Sequence, residues 1–496
     1  MARCMIIVAA VLLLGAAALA SDSGAIDSDL LDKYRNSLDD NAMLRMRVNA
    51  ITNNKISDLA LNRQALIQHN DRFNHELKSN GITHQRGSGR CWLFAGLNLF
   101  SPLVMADLEM ESFELSQPYL AFHDKLEKAN CFLEDIIAFR DSSLHSWTMQ
   151  VVLEEPFGDG GWWNYVLALL DKYGAVPITA MPETRQSSST SQINRLISTL
   201  LRRDAAELRQ MYSEGADPDR LRRRKEEMLG DVYQMLVYAY GTPPATFDFR
   251  YQVKPREDST KRDEGDAGTE GTTDEPGQED EEDSDKAYDV VERHTPDSFY
   301  DKYLKGYMRE YVPICHNPAE EMDRLYELAG ARNIMGTPDL QALNLPLEKL
   351  KTYALKSLLD SQIVWFACDV GKENYGDSGV FMRGIYDVET TLGVNLEMSK
   401  TDRINYHDIS PNHAMVFMGV DTTDEGSASK WLVENSWGDK AGKQGKWTMY
   451  DSWFDEYVMM VIIDKNLLSA ADAEKLKQKP VVVPYWEPFF AALRRL

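Results

Sequence analysis

The sequence predicts an α+β fold, and three observations carry that prediction. Apolar residues recur at helical spacing through residues 111–240, most clearly over 193–240. After Leu345 the texture changes to short β-branched and aromatic runs at 361–370, 412–420, 430–435 and 457–464, bounded by Gly, Asp and Asn. These read as strands of an antiparallel sheet. Between the two textures, residues 255–286 hold 14 Asp or Glu against 4 Lys or Arg and no large apolar side chain. Such a run buries too little surface to offset its ordering entropy, so it reads as a disordered surface insertion, with an acidic partner-binding segment as the alternative.

A chain of 496 residues has room for about three domains or one large fold with insertions. At 43% hydrophobic and 27% charged content it is an ordinary globular composition, which excludes collagen-like, coiled-coil and wholly disordered chains. A net charge of −24 repels phosphate backbones, so no nucleic-acid partner is expected. Five cysteines are too few for a disulfide scaffold. Residues 1–20 combine Arg3, an apolar run over 5–14 and an Ala18-Leu-Ala20 site, the pattern of a cleavable signal peptide. The apolar stretch 5–20 is shorter than the ~20 residues a spanning helix requires. The mature chain is therefore expected to be exported and free of the membrane.

The remaining elements follow in order. Residues 21–51 form a polar N-terminal extension with helical signals and no core face. Residues 52–190 form a helical lobe. It opens with a helix from Thr52 carrying Leu59, Leu66, Phe73 and Leu77 and ended by Gly81, followed by a buried helix over 92–105 that Pro102 kinks. Residues 191–345 read as a helical insertion that contains the acidic run, 346–484 as a sheet-rich lobe, and 485–496 as a C-terminal arm.

Three short segments carry chemistry. In Gln85-Arg-Gly-Ser-Gly-Arg-Cys91-Trp92, the glycines allow a tight turn that puts Cys91 in the first turn of an apolar helix. There the dipole and free N–H groups favour a thiolate, and the same donors with the Gln85 amide can meet an oxyanion. In Asn412-His413-Ala-Met-Val-Phe, a semi-exposed His at the mouth of an apolar strand suits proton transfer near neutral pH. In Val433-Glu-Asn435-Ser-Trp437-Gly438, the Asn can orient an imidazole and the Trp can shield that bond. Each alone has a plain reading: a buried thiol, an edge histidine, a turn. Their order, with Gln85 six residues before Cys91 and Asn435 22 residues after His413, is that of a thiol protease.

From Thr52 to the C-terminus the chain resembles the bleomycin hydrolase and aminopeptidase C group of papain-like cysteine peptidases. The resemblance rests on Gly81-Ile-Thr-His-Gln-Arg-Gly-Ser-Gly-Arg-Cys-Trp-Leu-Phe-Ala, Phe113-Glu-Leu-Ser-Gln-Pro-Tyr-Leu, Asp159-Gly-Gly-Trp-Trp and Lys172-Tyr-Gly-Ala-Val-Pro. It continues in Trp365-Phe-Ala-Cys-Asp-Val-Gly-Lys, Asn412-His-Ala-Met, Val433-Glu-Asn-Ser-Trp-Gly-Asp and Pro484-Tyr-Trp-Glu-Pro. It implies a papain-like two-lobed fold and a peptide-hydrolysing enzyme that needs no cofactor or metal. By the same resemblance Cys91 is the nucleophile, His413 the general base and acid, Asn435 its orienter, Gln85 the oxyanion donor, and Gly160 and Gly161 border the substrate subsites. A homohexamer is implied as well, with the carboxylate of the last residue, Leu496, meeting the substrate's free amine.

The chain departs from the family in several places. The gap from Cys91 to His413 is 322 residues, where a simple papain has about 130–150. No cysteine neighbours Cys91, so Cys131, Cys315 and Cys368 are expected as free thiols, with one disulfide among them as the alternative. Trp162 stands where relatives carry Gln, narrowing a subsite or making it more apolar. Arg494 and Arg495 lengthen the tail and place cations near the amine site, which raises endopeptidase or peptidyl-transfer activity as an alternative to trimming. A non-catalytic binding protein with a retained site is the alternative of another class. Family members are mostly cytosolic, which makes the cytoplasm the alternative to export.

Overall fold

The computed structural model describes residues 24–38, 40–253, 288–484 and 486–491. The leader at 1–20, the acidic run at 255–286 and the tail from 492 to Leu496 lie outside the described residues.

The chain opens with α1 (Ser28–Ser37) and α2 (Ala42–Asn53), whose cap residues Asp27 and Asn41 each accept a first-turn N–H. Neither helix buries a residue, as the polar composition predicts. After α3 (Ile56–Ala60) and α4 (Arg63–Gln68) the backbone becomes extended around β1 (His75–Glu76). The single helix expected from Thr52 to Gly81 is therefore broken. Leu77 N donates to Met418 O at 2.8 Å and His75 pairs with Val420, so pairing to a distant strand overrides the helical spacing of Phe73 and Leu77.

The residues group into two compact units, Met1–Arg63 with Tyr386–Leu396, and Gln64–Ile385 with Glu397–Leu496. In the first, Asp387 N donates to Ala60 O at 2.7 Å, Leu61 bridges Tyr386, and the Arg47 guanidinium donates to Thr390 O at 3.2 Å.

The second unit contains the core and every described site residue. Its helices are α5 (Cys91–Asp107), α6 (Gln117–Ala138), α7 (Trp147–Glu154), α8 (Trp163–Tyr173), α9 (Ser191–Ser213), α10 (Pro218–Tyr240) and α11 (Pro296–Tyr303). The starts of α6, α10 and α11 are fixed by side-chain caps from Ser116, Asp217 and Thr295, each beside a proline in the first turn. Helix α5 has no side-chain cap; its N-cap position is Arg90, so its first N–H groups stay available for another partner. It is apolar on all sides and buried along most of its length, with Pro102 inside it, as expected. Gly96 lets it press against α8: a Cβ there would meet Val166 at 2.8 Å.

The region 191–345 is not wholly helical. The hairpin of β2 (Phe247–Val253) and β3 (Tyr288–His294) flanks the acidic run, and β4 (Tyr311–Cys315), β5 (Arg324–Leu328) and β6 (Gln341–Asn344) join the main sheet. After α12 (Leu347–Leu359) come β7 (Val364–Cys368), β8 (Asn374–Tyr375), β9 (Val380–Phe381), β10 (His413–Thr422), β11 (Ala428–Glu434), β12 (Lys446–Tyr450), β13 (Val458–Asp464) and β14 (Val481–Val483). The main path runs β14-β5-β6-β4-β13-β7-β10-β11-β12-β9-β8, with β1 on the far end of β10. The strands foreseen after Leu345 pair antiparallel, but β4–β6, β5–β14 and β9–β12 are parallel, so the sheet is mixed.

Strand β10 is the centre of this arrangement. Alternate residues point to opposite faces, yet all of His413–Val420 are buried, so both faces are covered. Helices α5 and α12 both pack against it. Phe417 stacks on Phe366 of β7 with centroids 3.9 Å apart and planes 7° from parallel. Gly419 admits β1: a Cβ there would lie 2.5 Å from His75 O. Among the described residues no helix is long and apolar enough to cross a membrane, and Cys91, Cys131, Cys315 and Cys368 are all free.

Replacing Phe417 with Ala should lower the unfolding free energy by about 3–5 kcal/mol, the usual cost of emptying a core aromatic site. Urea denaturation followed by tryptophan fluorescence measures it; a loss below about 1 kcal/mol would show that this stack does not hold the centre of the sheet.

Candidate active site

Cys91 is the first residue of α5 and is 2% exposed. Burial raises its thiol, while the backbone N–H groups of Ala414, at the start of β10, of Trp92 and of Cys91 itself favour the thiolate. The uncapped helix start leaves its first N–H groups free to act in this way. Trp92 secures the position twice, since its indole N–H donates to Asp159 O at 2.7 Å and its carbonyl accepts from the Trp365 indole at 3.1 Å.

His413 opens β10. The residue before it, Asn412, is pinned by its side chain, which donates to Asp369 Oδ1 at 2.6 Å and accepts from Val370 N at 3.0 Å. His413 Nε2 lies 2.9 Å from Asn435 Oδ1; because that oxygen can only accept, Nε2 carries the proton and Nδ1 is left as the basic nitrogen. The Trp437 ring covers this pair, its centroid 5.0 Å from that of the imidazole. Asn435 follows β11 directly and is 1% exposed. Strand β10 therefore carries both the imidazole that meets Asn435 and, one residue on, the backbone N–H that favours the Cys91 thiolate.

Gln85 sits beside them. Its amide Nε2 donates to Ser88 O at 2.6 Å, and its Oε1 accepts from the Ser436 hydroxyl at 2.7 Å, which fixes which end of the amide faces the loop leading to Cys91. A second N–H of that amide is left to face an incoming oxygen. Ser436 was not foreseen as a partner; it is the residue after Asn435, and only the folded chain reveals the contact.

Gly160 and Gly161 form the wall of a cavity of about 1330 Å³, with Trp162, Lys128, Trp147 and Trp486 also on it. Gly161 must be glycine, because a Cβ would lie 2.5 Å from the Trp92 indole. Lys128 Nζ donates to Gly160 O at 2.5 Å and sits over the Trp92 and Tyr165 rings. Trp162 lies beside this wall and is 1% exposed. Trp486 meets Trp147 edge-on at 6.2 Å, so the arm reaches the cavity before the described residues end. Leu496 lies outside the described residues.

The buried carboxylate of Asp159 ties these pieces together, and sequence reasoning missed it. It accepts from Gly89 N (2.8 Å), Lys125 Nζ (2.5 Å), Asn194 Nδ2 (2.8 Å) and Thr190 Oγ1 (2.5 Å). Burial opposes its ionisation, but the Lys125 charge and these donors prevail and hold it below the usual carboxylate range. The start of α9 is thereby bound to the loop that delivers Cys91.

The electrostatics correct two expectations. His413 is 5% exposed, not semi-exposed, and burial pushes its imidazole down to about 4. Burial likewise pushes the Cys91 thiol up to about 11, outweighing the N–H groups of Ala414, Trp92 and Cys91 that favour the thiolate. The pocket thus resists a lone charge of either sign. A neutral thiol and a neutral imidazole are therefore the forms this burial favours, and the helix start alone does not hold a thiolate.

A model of the Peptidase C1-like family matches residues 25–264 and 278–490. The chain is 32% identical over 466 residues to Aminopeptidase C of Streptococcus thermophilus, covering 94% of this chain and 98% of that one. It is 35% identical over 422 residues to Aminopeptidase C of Listeria monocytogenes, covering 84% and 87%. The crystal structure of PepW from Lactobacillus rhamnosis superposes with a TM-score of 0.84 at 32% identity, covering 94% of this chain and 99% of the other.

If Cys91 and His413 share a proton, replacing His413 with Ala should slow alkylation of Cys91 by iodoacetamide at pH 7 about 100-fold, within the range general-base assistance supplies. Peptide mass spectrometry over time gives the rate; an unchanged rate would show that the imidazole does not act on the sulfur.

Proposed function

The chain belongs to the Peptidase C1-like family, and from that premise we propose that it is a cysteine aminopeptidase, with Cys91 as nucleophile, His413 as base and acid, Asn435 as orienter and Gln85 as oxyanion donor. The observation that carries the reading is the buried His413 imidazole held at Nε2 by Asn435, on the strand whose next residue, Ala414, has the backbone N–H that favours the Cys91 thiolate. In the reaction His413 Nδ1 takes the Sγ proton and sulfur attacks the peptide carbonyl carbon. The oxygen that becomes negative accepts from the Cys91 N–H and Gln85 Nε2. His413 returns the proton to the leaving amine as the C–N bond breaks, leaving a thioester. Water, deprotonated by the same imidazole, then hydrolyses it and restores the thiol.

Several features favour trimming from the amino end. The similar proteins of Streptococcus thermophilus and Listeria monocytogenes are named Aminopeptidase C. Trp486 and Pro488 line the cavity bordered by Gly160 and Gly161, so the described part of the arm lies at the cavity wall. A terminal carboxylate there pairs with a free amine and blocks longer chains. Arg494 and Arg495 in the sequence support a second reading, in which the tail repels the amine and internal bonds are cleaved. Export rests on the apolar run at 5–14, and assembly as a homohexamer rests on the family resemblance alone.

Cys91→Ala should abolish hydrolysis of aminoacyl-arylamides while leaving the circular dichroism spectrum unchanged; activity at the wild-type level refutes the assignment. Free-amine peptides should be cleaved in preference to their N-acetylated forms, and removal of residues 493–496 should erode that preference. Preference for the blocked peptides by the full chain supports internal cleavage instead.

A further inference from the structure

Glu434 is 2% exposed and stands immediately before Asn435, at the end of β11. Adjacent strand residues face opposite ways, so while Asn435 meets His413 the glutamate points elsewhere. Its Oε1 accepts from Asn98 Nδ2 at 3.1 Å, and its Oε2 accepts from the Ser79 hydroxyl. Asn98 is on α5, seven residues and two turns beyond Cys91, and the same Nδ2 also donates to Thr83 Oγ1 at 2.9 Å. The Ser79 hydroxyl oxygen in turn accepts from Gly81 N at 3.1 Å.

From that anchor the segment 79–85 runs beside 434–438. Gly438 N donates to Thr83 O at 3.1 Å, and Gln85 N donates to Ser436 O at 2.8 Å. His84 bridges Trp437, and Gly438, at φ +80°, leaves no room for a Cβ, which would lie 2.6 Å from the His84 ring. One carboxylate therefore ties the segment that carries Gln85, the helix that starts with Cys91 and the turn that carries Asn435. None of its bonds reaches a reacting atom.

Resting on the peptidase reading above, we propose that Glu434 is a positioning residue whose ionised carboxylate holds these three segments in catalytic register, so that turnover depends on its charge state. Ionised, the group accepts from Ser79 and Asn98 at once; protonated, one oxygen becomes a donor and that pattern cannot be kept. Burial pushes its carboxyl up to about 7, against the Ser79 and Asn98 donors and Lys446, which is its cross-strand neighbour on β12 and the one charged group that acts on it among the described residues. Val416 of β10, its partner on the other side, is apolar. The group thus changes charge within the working range of a neutral-pH enzyme. Since the folded chain holds this proton to higher pH than the unfolded chain, the contribution to stability is full below the unfolded value and is lost as pH rises through about 7. Function and stability therefore pull in opposite directions at this residue.

The test is the pH dependence of kcat and KM on a free-amine aminoacyl-arylamide for the wild type, E434Q and S79A, with thermal midpoints at pH 8. In the wild type kcat should rise with a step near neutrality. In E434Q that step should vanish and kcat fall about tenfold or more, the cost of misplaced groups, with KM within about twofold and a midpoint no lower than the wild type. S79A removes one donor to the carboxylate, so its step should move to higher pH, and this variant carries the test if E434Q does not fold. Wild-type kcat with the step intact in E434Q, or an unmoved step in S79A, overturns the proposal. C91A run alongside separates the two readings: if it is inactive while E434Q behaves as wild type, only the role of Glu434 fails.

Discussion

The site depends on a strand beginning where a helix begins. The backbone N–H groups of Ala414, at the start of β10, and of Cys91 and Trp92, at the start of α5, all favour the thiolate of one sulfur. That meeting requires α5 to lack a side-chain cap, since a capping oxygen would occupy the donors the sulfur uses. It also requires β10 to be buried on both faces, so that α5 packs against it without freedom to slide. The indole of Trp365 on the carbonyl of Trp92 joins the helix start to β7, the neighbour of β10. Local capping, sheet register and core packing thus act on the same few ångströms.

Burial is what makes the arrangement chemically useful and what makes it demanding. With Cys91 and His413 both buried, a lone thiolate or a lone imidazolium is disfavoured, and the neutral thiol and neutral imidazole are the forms that burial favours. Nearby charges are handled in the same way. Asp159 and Lys125 are buried as a bonded pair, and the carboxylate spends its other lone pairs on Gly89, Asn194 and Thr190. Asp159 also acts on the sulfur, raising the thiol, so its neutralisation by Lys125 bears on the nucleophile as well as on the loop.

The sequence made the reacting groups legible because each lies in a short word whose local geometry is set by its neighbours. The loop before α5 takes its left-handed residue at Arg86, at φ +54°, Asn412 is itself pinned just before His413, and Gly438, at φ +80°, closes the turn after Asn435. The helices between 111 and 240 were legible by their period, and four central strands by short β-branched and aromatic runs between Gly, Asp and Asn. Other features depend on residues far apart in the chain and leave no local period. Phe73 and Leu77 keep a helical spacing, but His75, Glu76 and Leu77 pair with β10. Strands β4 to β6 lie in a stretch that reads as helical because α9 and α10 dominate its pattern. The burial of His413, the link from Asp159 to Gly89, 70 residues away, and that from Glu434 to Asn98, 336 residues away, arise only when distant segments come together.

If Cys91 carries the acyl group of the substrate, that intermediate can be trapped. The enzyme would be mixed with an excess of an aminoacyl ester, quenched in acid within the first turnover, digested, and mapped by mass spectrometry. The account predicts one acyl group per chain, on the peptide containing Cys91, lost on treatment with hydroxylamine as a thioester is. Continued turnover with no acyl group on Cys91, or with the group on Cys131, Cys315, Cys368 or a hydroxyl, would contradict it.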